Sequence, residues 1–165
     1  MMKRLSLLLV VILSMGQLAA NPPTPNDDLS RLLSEGMPFA KQMLTDQGEF
    51  FPYANAMAID GAVVAVAGGV KGKHPSSQQI IDALVSALHA GITSGEYKAG
   101  AIFVNVRAQP PGQNEMIDAV RVGLEHIQGL CMDVYVPYTN DGHGGVSLGK
   151  AFASQRTGQF ITGCK

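Results

Sequence analysis

The chain has 165 residues, 46% of them hydrophobic and 15% charged, with 12 basic against 13 acidic side chains and a formal charge of −1 at pH 7. That balance offers no basic surface to a nucleic acid backbone and no polybasic patch to an anionic membrane. The length suits one domain with a full core.

Residues 1–20 have the order of an export signal. Lys3 and Arg4 make a positive start, Leu7 to Met15 an apolar stretch too short to span a bilayer, and Ala19 and Ala20 the small residues suited to cleavage before Asn21. An uncleaved anchor is the alternative. No cysteine follows the apolar stretch, which argues against a bacterial lipid anchor. The expectation is a periplasmic or secreted protein with no membrane attachment after cleavage. Removing Lys3 and Arg4 leaves 10 basic against 13 acidic residues, a formal charge of −3.

Residues 21–27 hold three prolines and read as an extended leader, with a single domain from 28 to 165. Asp27 or Asp28 is positioned to cap a first helix. Leu29, Leu32, Leu33, Ala40, Met43 and Leu44 share one face of a 3.6-residue period up to the stop at Gly48. Gly36 and Pro38 predict a kink within it. Two apolar runs then flank Asp60-Gly61, which predicts a hairpin with a two-residue turn at the centre of a sheet.

Ser76 and Gln79 form a capping-box pattern, and Ile80, Ile81, Leu84, Val85, Leu88 and Ile92 give a second helix its apolar stripe. From Ala99 to Gln109 the period changes to two. Ile117 to His126 and Leu130 to Tyr138 then form two strands about Gln128-Gly129. In the last strand Cys131, Asp133 and Tyr135 alternate with Met132, Val134 and Val136. Val146 to Ala153 reads as a short helix or a final strand. The predicted class is α+β, with two helices on a single antiparallel sheet of about five strands, in the order α-β-β-α-β-β-β. By analogy alone this order looks profilin-like or roadblock-like.

Glu49-Phe50-Phe51-Pro52-Tyr53-Ala54, Asp60-Gly61, Leu124-Glu125-His126 and Val134-Tyr135-Val136-Pro137-Tyr138 together resemble a set of small bacterial proteins. These share an E-F-[FY]-P-[FY] segment and a V-x-[VL]-P-Y strand end. The resemblance covers most of the mature chain and implies a shared fold without an activity. The export signal and the terminal cysteine depart from it.

Cys131 and Cys164 are the two cysteines. An exported chain favours a disulfide between them, closing a loop of about 34 residues. One buried and one terminal free thiol is the other reading. Gly68 to His74 is glycine-rich and basic but lacks the first glycine and the Ser or Thr of a phosphate-binding loop, so it reads as an ordinary loop.

Glu125, His126, Asp141 and His143 would make a metal or acid–base site if they converged. None has the spacing of a strong metal motif, so no metal and no cofactor is predicted. Tyr53, Tyr135 and Tyr138, with Phe50 and Phe51, are candidates for a partner-binding rim if the first and last strands are neighbours. The sequence thus reads as an exported protein-binding module, of immunity or inhibitor type, rather than an enzyme. The alternative is a small periplasmic hydrolase or metal-dependent enzyme built on the Asp141/His143 loop. Self-association through a sheet edge is a third reading.

Overall fold

The computed structural model describes residues 22–70, 74–143 and 145–164. The export signal expected over 1–20 lies outside the described residues.

The first helix, α1, is Pro25–Gln47. Its cap is Thr24, not Asp27 or Asp28. The Asp27 backbone N–H donates to Thr24 Oγ1 (3.3 Å), and Asp27 Oδ2 accepts the Thr24 N–H (2.8 Å). The Thr24 N–H, and after it the Thr24 hydroxyl (2.7 Å), donate to the Asp27 carboxylate and hold it below its usual range. Pro25 suits the first turn because the N–H it lacks would have no helical partner there. Three residues read as leader therefore belong to the helix.

Gly36 and Pro38 lie within one continuous helix. Gly36 is there for space, since a Cβ at this position would overlap the Phe103 ring. The helix stops at Gly48, whose φ of 76° suits glycine.

The strands are β1 (Tyr53–Ala58), β2 (Val63–Val66), β3 (Tyr97–Ala108), β4 (Ile117–His126), β5 (Leu130–Asn140), β6 (Val146–Leu148) and β7 (Phe152–Gln155), and the second helix, α2, is Ser77–Thr93. They form one antiparallel sheet of seven strands in the order β2-β1-β3-β4-β5-β6, with β7 also on β5. The class is α+β, as predicted, but the sheet has seven strands and not five. The two extra strands are the tail segments that cover the outer edge of β5. Nor is the Asp60-Gly61 hairpin central. β3 pairs with β1 and leaves β2 at the free edge, while β3 and β4 fill the middle.

The turn itself is longer than predicted. The Ala58 N–H donates to Ala62 O (2.8 Å) and the Gly61 N–H to Ala58 O (2.9 Å), so Ile59, Asp60 and Gly61 form a three-residue loop. Gly61 has a φ of 92°. A tight turn closed by a positive-φ glycine is the usual three-residue hairpin solution. Asp60 Oδ1 accepts the Ala62 N–H (2.9 Å) and braces it.

Both faces of the sheet are covered. On one, Met57, Ala101, Phe103, Val120, Val122, Leu124, Val134 and Val136 pack under Leu29, Leu32, Ala40 and Leu44 of α1. On the other, Ala54, Ala56, Ile102 and Val104 pack under Leu84 and Leu88 of α2, joined by Phe160, Ile161 and the cysteines of the tail. Period-two alternation decides which face each residue serves. Among the described residues no helix is long and apolar enough to cross a membrane.

Candidate functional site

Glu125 and His126 end β4 and point to opposite faces. Glu125 is fully buried, accepts three backbone donors and pairs with one cation. The backbone N–H groups of Gln159, Phe160 and Ile161 bind its two oxygens at 2.6, 3.0 and 2.7 Å. Arg156 Nη2 lies 2.7 Å from Oε1, and Arg156 Nε lies 3.0 Å from Asp133 Oδ1. Those two N–H vectors do not aim squarely at the oxygens, so the contacts are ion pairs at close range rather than well-formed hydrogen bonds. The arginine fits there because β4 carries Gly123 beneath it, where a Cβ would sit 2.8 Å from Nη2.

Beside this carboxylate, Cys131 and Cys164 form a disulfide with Cα atoms 5.6 Å apart. A carboxylate oxygen of Glu125 and both sulfurs lie within 4.8 Å of one another. The bridged sulfurs are not thiolates, so this trio is not a metal centre as it stands. The tail crosses the face that carries Cys131, Asp133 and Tyr135. A cleft of about 550 Å³ runs between this tail and α2, lined in part by Ser86, His89 and Thr157. His89 Nδ1 lies 3.0 Å from Phe160 O and donates to it, because a carbonyl only accepts.

On the other face, His126 Nε2 lies 3.2 Å from Asp28 Oδ2 on α1. Lys98 Nζ lies 2.8 Å from the same oxygen. His126 Nδ1 accepts the Gln128 N–H at 3.1 Å, so Nε2 is the nitrogen that donates to Asp28. Both ring nitrogens thus hold internal partners.

Asp141 and His143 lie at the far end of the β4–β5 hairpin from Glu125 and His126. Asp141 Oδ1 accepts the N–H groups of His143 and Gly145, each at 2.8 Å. These bonds hold its carboxyl below the usual range. Its role is to close its own loop. The four candidates thus occupy three places: two buried ion clusters on opposite faces and one exposed loop. The glycine-rich loop packs its Gly68 against Ala83 and Leu84 of α2, and residues 71–73 lie outside the described residues.

The tyrosines do not form one rim, because β3 and β4 separate β1 from β5. Tyr53 stacks on Phe103 with ring centres 4.6 Å apart and meets Phe39 edge-on at 4.8 Å. Its hydroxyl donates to Gly36 O (3.0 Å). Tyr138 donates to Asn105 Oδ1 (2.8 Å). Tyr135 is on the opposite face, stacked on Phe152 at 5.0 Å.

What sequence reasoning missed is the surface beside Tyr53. The α1 helix packs over the middle of the sheet; of β2 on that face, Val63 packs against the α1-side core while Ala65 stays exposed. A groove of about 350 Å³ remains between α1 and β2, lined by Glu35, Phe39, Tyr53, Asn55, Ala65 and Val66. Phe39 is 50% exposed, and Ala65, opposite Asn55 on the same face, is exposed as well. The Val63-Val64-Ala65-Val66 run, with neither charge nor proline to guard it, was the available signal.

Comparison with protein-family models, with curated proteins and with solved structures finds no significant match to this chain.

Proposed function

We propose that this is an exported protein-binding module, of immunity or inhibitor type, which engages another protein at the free β2 edge and the groove between that edge and α1. The observation that carries the reading is the unguarded edge itself. In an antiparallel ladder successive residues alternate between bonding inward and outward. The Ala58–Ala62 bond sets the phase, so Val64 and Val66 bond to β1 while Val63 and Ala65 direct their N–H and C=O groups outward. Edges left without Lys, Pro or a bulge pair readily with another strand. Beside this edge Phe39 and Tyr53 supply aromatic area for one or two side chains of a bound segment. The disulfide is compatible with an oxidising compartment.

The catalytic alternative has less support. Its four residues are dispersed, and the carboxylates and the His126 ring already hold internal partners. The opposite edge is blunter, because β6 and β7 divide it into two short pieces with Gly149 between them.

A photo-crosslinking residue placed in living cells tests the proposal. At Val64 or Ala65 it should yield one discrete protein adduct that is lost in a Phe39→Glu background. At Leu148 or Gln155 it should yield none. Equal labelling at all four positions, or none at Val64 and Ala65, overturns the reading.

A further inference from the structure

We infer that Glu125 is the positioning residue for the Cys131–Cys164 disulfide: its carboxylate docks the tail before the sulfurs are joined, so the bridge secures a path that already exists. This stands independently of the binding proposal. Three consecutive tail amides, from Gln159 to Ile161, converge on one carboxylate. Successive backbone N–H groups that converge in this way form an anion nest, and here the anion is the protein's own. Cys164 follows the nest by three residues. The same carboxylate lies within 4.8 Å of both sulfurs, so docking the nest delivers Cys164 to Cys131.

Two further contacts hold the tail without the bridge. His89 Nδ1 donates to Phe160 O. The Phe160 ring, 1% exposed, fills the space above Gly100, where a Cβ would sit 2.9 Å from the ring. With the tail undocked this carboxylate loses three charge-assisted bonds from consecutive amides held in the geometry of a nest. The carboxylate thus favours the docked tail whatever the state of the sulfurs.

The oxidation follows the ordinary exchange route. The thiolate of one cysteine attacks a small disulfide RSSR, forming a mixed disulfide and releasing RS⁻. The other cysteine's thiolate then attacks the protein sulfur of the mixed disulfide and releases the second RS⁻. RSSR takes two electrons, and the two thiol protons pass to the departing thiolates. Docking acts on the second step, which becomes intramolecular at a high effective concentration.

The experiment equilibrates the protein with reduced and oxidised glutathione and measures the effective concentration of the Cys131–Cys164 pair. For Glu125→Ala it should fall on the order of tenfold to a hundredfold, reflecting the lost charge-assisted bonds. For Glu125→Gln, which keeps one carbonyl acceptor, the fall should be smaller. A value unchanged in Glu125→Ala overturns the inference. A second measurement needs no change at Glu125. In the Cys131→Ala/Cys164→Ala protein, hydrogen exchange at the amides of Phe160 and Ile161 should remain protected. Exchange at the free-chain rate there, with β3 and β4 still protected, would show that the tail docks only through the bridge.

Discussion

Glu125 and His126 are neighbours in the chain whose side chains serve opposite faces of one sheet. The carboxylate gathers Gln159, Phe160, Ile161 and Arg156 on the tail side, and the imidazole meets Asp28 on the helix side. One strand end thus pins both layers. Removing the carboxylate leaves three amides without their acceptor and Arg156 paired with Asp133 alone. Glu125→Ala should therefore cost about 3–5 kcal/mol, the range for breaking a buried pair. His126→Ala should loosen the start of α1 instead. Denaturant midpoints give the costs. Limited proteolysis should cut Glu125→Ala first in the tail and His126→Ala first near residues 24–31, and the same first cut in both would refute the division.

Gly36→Ala should destabilise, against the helical trend. In an open helix the change gains up to about 1 kcal/mol. Here the new methyl meets the ring of Phe103, which is fully buried and stacked on Tyr53. Overpacking of this kind costs about 1–3 kcal/mol. A raised melting temperature would mean that α1 stands further from β3 than described.

Proline separates the two sides of β2. Val64→Pro removes an N–H that bonds to β1, and its expected cost is about 3 kcal/mol or more. Ala65→Pro removes an outward N–H and should cost under about 1 kcal/mol. Equal costs would shift the β1–β2 register by one residue.

Tyr53 makes the fold sensitive to alkali. Burial raises its phenol well above the usual value of 10.0, with an opposing pull from the Ala40 N–H. The unfolded chain therefore loses this proton first. Stability is full below pH 10 and falls as pH rises beyond it, because the folded state binds more protons there. Tyr53→Phe should remove that part of the slope and cost about 1 kcal/mol at neutral pH through the lost bond to Gly36 O. Stability curves against pH for the two proteins, with an ultraviolet titration of the phenols, measure both effects. Parallel curves above pH 10 would contradict this account.

Local order was legible in the sequence. The capping box at Ser76 and Gln79, the bounds of β4, the stop at Gly48 and the positive φ at Gly61 all follow from interactions within a few residues. Alternation along the last long strand likewise separated Cys131, Asp133 and Tyr135 from Met132, Val134 and Val136, and that polar face is the one the tail crosses. Pairing order was decided only in three dimensions. Whether β3 joins β1 or β2 depends on which arrangement lets α1 and α2 each bury a stripe, and no local pattern encodes that choice. The same holds for the polar residues. Glu125 meets amides 34 to 36 positions away, and His126 meets a carboxylate 98 positions away. As bare letters these residues suggested chemistry. Burial cost requires each of them to hold a partner, and only the folded chain could supply it.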